Sequence, residues 1–462
     1  MTTVLRAGKA PGALPVLGHG WQLMRYPMRF LESLSDHGDL VEIKLGPHTA
    51  HVPCHPELMR QILAEDRIFD RGGPFFDKVR EIVGENIATC PHHKHRRLRR
   101  RMQPAFARSR LTSYTEVMAK EADKASRSWR PGQIIDAYPT FYRLALRIVA
   151  LTLFPAGMDE RTLADLQSSA SDVAAGVLPR VILPGLLHGL PLPANRRYER
   201  AREKLNTTVE GYLADCERGE TASDDLLSSL AAPDGLDRPL NSTEIRDEMI
   251  LLLVAGAEAV ASTMSWALYL ISQHPHVEER LHAEADRVLD GRPAQAAHLP
   301  DLPFTAAVIT ETLRLYPPAW ILTRKTTAPV ELAGVRLRAG AKIVISPPAL
   351  QRQSALFPRA YAFDPDRWLS SHPATPQLPR GAFTAFGGGA RTCIGQTFAT
   401  IETTLTLATI AARWRAVVAP GTDLRTPLLA SALHPKRLLL HVQPRTPSPG
   451  ITQDLNTSAP PT

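Results

Sequence analysis

The sequence predicts a mainly α chain with a small β lobe, on three observations. Between residues 110 and 245 helical patterns follow one another, interrupted by proline, as at 116–129, 139–154 and 196–218. Residues 249–271 form one apolar stretch of the length and character of a central buried helix. Short segments alternating apolar and polar residues cluster at 39–53 and 329–345, which sets a β-rich lobe apart from the helices.

Composition bounds the class. The 462 residues are 44% hydrophobic and 22% charged, an ordinary globular balance, and the net charge is +8. Length alone points to about three domains, but the elements run on without a break, so residues 1–442 read as a single domain. The remainder, 443–462, rich in Pro, Ser and Thr, reads as a disordered tail. Four cysteines, Cys54, Cys90, Cys216 and Cys393, show no paired spacing, which argues against a disulfide framework or a zinc site and fits a reducing cytoplasm. Residues 1–13 are short and polar, with no apolar segment of a leader. The stretch 249–271 carries Glu258, Ser262, Thr263 and Ser265 and is flanked by Arg246 and Glu248, so it reads as a core helix and no membrane span is expected.

Taken in order, residues 10–20 form an extended proline-rich lead-in and 26–37 an amphipathic helix. Residues 39–45 and 49–53 form a hairpin around Gly46-Pro47, and helix returns at 56–65. Residues 66–91 show weak periodicity around Arg71-Gly-Gly-Pro-Phe-Phe and read as a long connection. The run His92 to Arg101 is strongly basic, but it lacks interleaved aromatics and the rest of the chain is not basic enough, so no nucleic-acid partner is expected. As a helix it places His95 and Arg99 on one face. Arg96, Arg97, Arg100 and Arg101 then form either a docking patch for an acidic electron carrier or a plain solvated face. Residues 183–195 are too rich in Pro and Gly for helix. Residues 303–315 are helical, with Glu311 and Arg314 on one face. Residues 329–345 give short strands, 372–380 a loop, 396–414 a helix and 426–442 a terminal hairpin with Ser431-Ala-Leu433 at its tip.

The chemistry concentrates in Phe386-Gly-Gly-Gly-Ala-Arg391-Thr-Cys393-Ile-Gly395, a glycine-rich loop that ends where a helix begins. Glycines allow positive φ and close approach of a flat object. Arg391 and the helix N-terminus favour thiolate over thiol at Cys393, and a thiolate so placed suits a metal. The pattern Phe-x-x-Gly-x-Arg-x-Cys-x-Gly is complete, and it resembles the haem-binding loop of the cytochrome P-450 family.

That resemblance covers about residues 10–443 and implies the cytochrome P-450 fold, a helical prism enclosing haem b (iron protoporphyrin IX) with Cys393 on the metal. It implies further cofactor contacts at Phe386, Gly395 and Arg391, propionate ligands at Arg99 and Arg324, and His95 where the family usually has Trp. Ala255-Gly256-Ala257-Glu258 matches the oxygen-binding segment, with Gly256 leaving room for cofactor and dioxygen and Glu258 supplying protons. The family usually has Thr after this acid. Ala259 stands there instead, and Thr263 lies a turn away. Glu311, Arg314 and Arg367 match a structural Glu-Arg-Arg triad. Phe75, Phe76, Val79 and Ile87 either line the substrate pocket or pin their loop to the core, and Trp320, Ile321 and Leu433 are further pocket candidates.

The implied reaction is hydroxylation of a hydrophobic small molecule with dioxygen. Electrons are expected from NAD(P)H through a separate ferredoxin and ferredoxin reductase, since the chain has no dinucleotide fingerprint. The opening Leu-Pro-Val-Leu-Gly-His-Gly resembles cytoplasmic actinomycete members that oxidise sesquiterpenes such as pentalenene on the way to terpenoid antibiotics. A polyketide, fatty acid or steroid substrate, a peroxide-driven peroxygenase and a haem-based binding protein are the alternatives.

Overall fold

The computed structural model describes residues 4–153, 160–182, 188–218, 230, 238–369, 378–427 and 430–445. A 31-residue helix, Ser242–Ser272, runs through the core. Its start is written locally: Asn241 Oδ1 accepts the Glu244 N–H at 2.8 Å and the Glu244 carboxylate accepts the Asn241 N–H at 3.0 Å. Every residue from Val260 to Leu268 is buried, as a helix apolar around its circumference requires. It is long and apolar enough to cross a membrane, but 67% of its most apolar window is buried inside this protein. It packs most closely on Ala137–Leu153, where a Cβ on Gly256 would come within 3.2 Å of Val149. The helices Arg108–Ser128, Glu160–Ile182, Pro193–Glu217, Pro275–Leu289, Pro303–Leu315 and Gln396–Ala411 complete the helical body.

The β lobe is a six-stranded sheet. Ala7–Lys9, Leu40–Leu45, His48–Pro53, Lys342–Ile345, Leu322–Thr326 and Phe69–Asp70 lie side by side in that order. The expected hairpin is present, with Ile43 opposite Ala50 and Gly46 at φ +59° in the turn. Both faces of the sheet are covered. Ile343 and Ile345 meet Leu58, Met59 and Ile62 on one side, while Val344 joins Val41, Val52 and Leu31 on the other.

Several expectations are corrected. Residues 74–83 are helix, Pro74–Val83, within the stretch read as a connection. Proline at N1 starts that helix, as it starts Pro193–Glu217 inside a segment judged too proline-rich for helix, because the first turn has no use for that N–H. Residues 183–187 and 372–377 of the expected loops lie outside the described residues. Among the described residues of 426–442 no two strands pair as a hairpin, and only an isolated antiparallel bridge joins Asp423 to Arg437. Leu439–Pro444 instead pairs antiparallel with Trp414–Val418 on one edge and Ile134–Asp136 on the other. The strand runs past 442 and Arg445 then pairs with Asp286 at 2.6 Å, so 443–445 do not belong to a disordered tail; residues 446–462 of the expected tail lie outside the described residues.

The triad is formed. Arg314 grips Glu311 with two bonds, Nη2 to Oε1 at 2.7 Å and Nε to Oε2 at 2.8 Å, and both side chains are fully buried. Arg367 Nε reaches Glu311 Oε1 at 3.2 Å, and Trp368 Nε1 donates to Oε2 at 2.8 Å. Arg314 also donates to the carbonyls of Gln351, Ala360 and Ala362. The cluster therefore ties helix Pro303–Leu315 to the segments before the cysteine loop. Glu311→Ala strips two buried guanidinium groups of their counter-charge and is expected to cost about 3–5 kcal/mol, read as a lowered urea midpoint against the parent protein.

Candidate functional site

The cysteine loop folds back on itself before helix Gln396–Ala411 begins. The Cys393 N–H donates to the Phe386 carbonyl at 2.9 Å, and the Gly387 N–H to the Thr384 carbonyl at 2.8 Å. Gly387 and Gly389 have φ of +74° and +62°. A Cβ on Gly389 would lie 2.0 Å from the Leu63 carbonyl oxygen. The close approach that these glycines were expected to give a flat ligand is thus, at Gly389, an approach to helix Pro56–Ala64.

The surface that Cys393 exposes opens on an internal cavity of about 410 Å³. Burial pushes the thiol up, and the Gly395 N–H, Arg99 and Arg71 only partly oppose it. Desolvation therefore works against the expected thiolate unless a counter-charge lies beside it. A coordinated metal cation would supply that charge, since a coordinating thiol is deprotonated outright. Arg391 lines the cavity too, but its guanidinium is committed elsewhere. It pairs with Asp66 at 3.2 Å and Asp70 at 3.0 Å and donates to the Cys90 carbonyl at 2.9 Å.

All the residues expected to hold a cofactor face this one cavity: His95, Arg99, Gly256, Arg324, Phe386, Arg391, Cys393 and Gly395. Arg71 joins them, a residue that sequence reasoning missed because a Gly-Pro loop carries no periodicity. Its guanidinium donates to the carbonyls of Ile87 and Ala88, and its Nε has no partner among the described residues. Arg99 donates to the Thr392 carbonyl and Arg324 to its neighbour Thr323 at 2.8 Å. None of these three cations has a carboxylate within ion-pair reach among the described residues. Burial, with the Arg391 charge beside it, pushes Arg324 down to about 10 and Arg71 well down, where Arg324 adds its own repulsion. His95 is pushed down to about 3 by burial, then by Arg391 and Arg71, and is a neutral imidazole. A thiol beside surplus cations in a largely apolar hollow fits a metalloporphyrin with two carboxylate tails.

Glu258, Ala259 and Thr263 of the central helix also line the cavity. Burial pushes Glu258 up to about 7. Its partner is Ser431, whose Oγ donates to Oε1 at 2.6 Å. The Thr263 hydroxyl donates to the Ala259 carbonyl at 2.9 Å. Glu402, another acid that sequence reasoning missed, lines the cavity with neither oxygen partnered among the described residues, and burial holds it well above the usual carboxylate range. An acid in an apolar helix, the signal that picked out Glu258, was available at Glu402.

The expected substrate contacts divide. Ile87 lines the cavity. Phe76 and Val79 do not, because their helix packs on Glu160–Ile182, and the Phe75 side chain lies outside the described residues. Trp320 and Ile321 pack into the β lobe, and Pro318, Ala319 and Leu322 line the wall in their place. Leu433 is an anchor rather than a contact. Its carbonyl accepts from Ser262 Oγ at 2.6 Å and Trp266 Nε1 at 2.8 Å, which leaves Ser431 and Ala432 facing the cavity. The four-arginine patch is not formed either. Arg97 pairs with Glu244 at 2.9 Å, Arg100 is half-buried, Arg101 is buried, and Arg96 stays exposed. Helical pitch scatters adjacent arginines around the axis.

A sequence model of the family described as Cytochrome P-450 matches residues 9–442. The chain is 48% identical over 442 residues to pentalenene oxygenase of Streptomyces avermitilis, covering 96% of this chain and 98% of that one. It is 42% identical to cyclooctat-9-en-7-ol 5-monooxygenase of Streptomyces melanosporofaciens, over 90% of this chain and 91% of that one. It is also 42% identical to cyclooctatin synthase of the same organism, over 93% and 94%.

Gly389→Ala is expected to destabilise the protein more than Gly387→Ala. The second meets only the left-handed penalty of about 1–2 kcal/mol, while the first adds a backbone collision, and thermal midpoints will separate them. The buried acids set a pH dependence. Glu248 is pushed up by burial to about 8 and Glu258 to about 7, against an ordinary value of 4.5. Each holds a proton in the folded protein that the unfolded chain releases, so stability is lost as pH rises through these values. The buried histidines oppose this slope only below their ordinary 6.5. Between about pH 6.5 and 8 the ligand-free protein is therefore expected to lose stability, and Glu258→Gln to flatten the decline in denaturant titrations.

Proposed function

The chain belongs to the cytochrome P-450 family, and from that premise we propose that it is a haem b monooxygenase hydroxylating a hydrophobic terpenoid, with a sesquiterpene such as pentalenene the first candidate. One observation carries the reading: Cys393 opens on a cavity whose walls are mostly apolar and whose surplus charge is positive. The three relatives support the terpenoid class, since their names specify oxidation of pentalenene, oxidation of cyclooctat-9-en-7-ol and formation of cyclooctatin.

Cys393 would ligate the iron, and Arg71, Arg99 and Arg324, with His95 as a neutral donor, would hold the two carboxylates. Haem bound through a cysteine thiolate supplies dioxygen activation, the thiolate favouring O–O cleavage. The chain does the rest. Ala255, Val149, Leu252, Leu322 and Ile87 give an apolar wall that orients a hydrocarbon and sheds water. Glu258, poised near neutrality, holds a proton at its carboxyl and releases it towards the cavity. Electrons would come from NAD(P)H through a ferredoxin and its reductase in the cytoplasm. Ala259, which lacks the usual hydroxyl, favours a peroxide-driven reaction as the second reading. Product formed with peroxide alone, and none with ferredoxin and NADPH, would decide for it.

The holoprotein is expected to give the reduced carbon-monoxide band of a thiolate haem, and Cys393→Ser to lose it. Arg71→Leu should surrender haem to apomyoglobin roughly tenfold faster, for one lost charge-assisted bond. Incubation of the holoenzyme with pentalenene, cyclooctatin precursors, fatty acids and steroids tests the substrate. Hydroxylated terpenoid is the expected product, and turnover confined to the other classes overturns the assignment.

A further inference from the structure

The central helix brings an acid to the cavity but no free hydroxyl beside it. Ala259 follows Glu258, and the Thr263 hydroxyl is committed to the Ala259 carbonyl at 2.9 Å. A hydroxyl arrives from elsewhere in the chain. Ser431 donates to Glu258 Oε1 at 2.6 Å, and both residues line the cavity. The segment that carries Ser431 is fixed to the same helix. The Leu433 carbonyl accepts from Ser262, four residues beyond Glu258, and from Trp266, while the Leu433 N–H donates to the Pro318 carbonyl at 3.0 Å. Ser431 is therefore held at Glu258 by bonds that do not involve its own side chain.

The geometry points to Ser431 as the hydroxyl that works with Glu258 in delivering protons to the cavity, in the place that Ala259 leaves without one. This rests on the monooxygenase reading above. The chemistry is that of a group that both gives and accepts. When Glu258 is protonated, its O–H donates to Ser431 Oγ. Transfer breaks the Glu258 O–H bond and forms a bond to Oγ, and the original Ser431 proton leaves to a water in the cavity. Glu258 is then a carboxylate, bonded by the Ser431 O–H as in this structure, and must be reprotonated from its other side. The ionisable groups that interact with the Glu258 charge are Tyr138 and Tyr142 of helix Ala137–Leu153, both held neutral by burial and by that charge. The Tyr142 hydroxyl is buried and without a partner among the described residues, and it feels both Glu258 and Asp172. Asp172 pairs in turn with the exposed Arg197 at 2.6 Å. His434, stacked on Tyr138 with ring centroids 3.7 Å apart, is kept neutral by burial. No charged side chain lifts Glu258; burial does so, and the Ser431 bond opposes it.

The test compares parent, Ser431→Ala and Ser431→Thr holoenzymes. The first readout is infrared titration of the Glu258 carboxyl, identified as the band absent from Glu258→Gln, in substrate-free protein. The second is the fraction of NADPH electrons recovered in product rather than in hydrogen peroxide, followed across pH. Ser431→Ala should move the Glu258 midpoint upward, because a bond to the carboxylate is lost, and should lower coupling roughly tenfold or more, as loss of an acid–base partner does. Ser431→Thr should keep both near the parent values. An unmoved midpoint overturns the contact, and a moved midpoint with unchanged coupling overturns the relay. Absence of the carbon-monoxide band from the parent would overturn the monooxygenase reading instead, and the infrared titration, which needs no turnover, would still report the contact.

Discussion

Three guanidinium groups that face one cavity, none with a carboxylate in ion-pair reach among the described residues, are the constraint on which the site depends. Arg71, Arg99 and Arg324 satisfy part of their bonding with backbone carbonyls, which supply dipoles and no counter-charge. Arg391 takes the two nearby carboxylates, Asp66 and Asp70, and is neutralised by them. Desolvated charge without a partner is costly in a low-dielectric interior. A dianion bound there would remove the surplus, and the same surplus would favour anionic tails on a ligand lying against Cys393.

This arrangement needs segments far apart in the chain to be held within bonding distance, and buried polar locks do that. Asp66 and Asp70 secure the Arg71 segment to the cysteine loop through Arg391. Asp247 and Glu248 of the central helix accept the N–H groups of Glu85 and Ile87 at 3.0 and 2.7 Å, which fixes the carbonyls that Arg71 then uses. Glu311 gathers Arg314, Arg367 and Trp368 behind the loop. Each lock places a full charge or a backbone bond out of water, where a missing partner is expensive and alternative arrangements are correspondingly unfavourable.

Against this polar frame the rest of the cavity is mostly apolar, and that contrast makes Glu258 useful. Burial alone lifts its carboxyl towards neutrality, so it can hold a proton at the pH at which a protein works. The acid and its hydroxyl partner come from opposite ends of the fold's logic. Glu258 belongs to the 31-residue central helix, and Ser431 to an irregular segment bonded to that helix through Leu433.

The sequence by itself determined the class, the central helix, the hairpin at Gly46 and the cysteine loop, and its resemblance to a family pointed to the triad. These are written in local patterns: the 3.6-residue and two-residue periods, caps, turn residues and short motifs whose spacing carries their chemistry. Every residue expected at the cofactor does face the cavity. Tertiary structure alone decided which way side chains turn in stretches without a period. It put Trp320 and Ile321 into the β lobe and Leu322 on the wall, turned Leu433 into an anchor, dispersed the basic run of helix His92–Met102 and brought Arg71 to the site. It also added desolvation at Cys393, which opposes the ionisation that a cation and a helix end favour there. Burial and long-range pairing are properties of the packed chain, and no window of residues contains them.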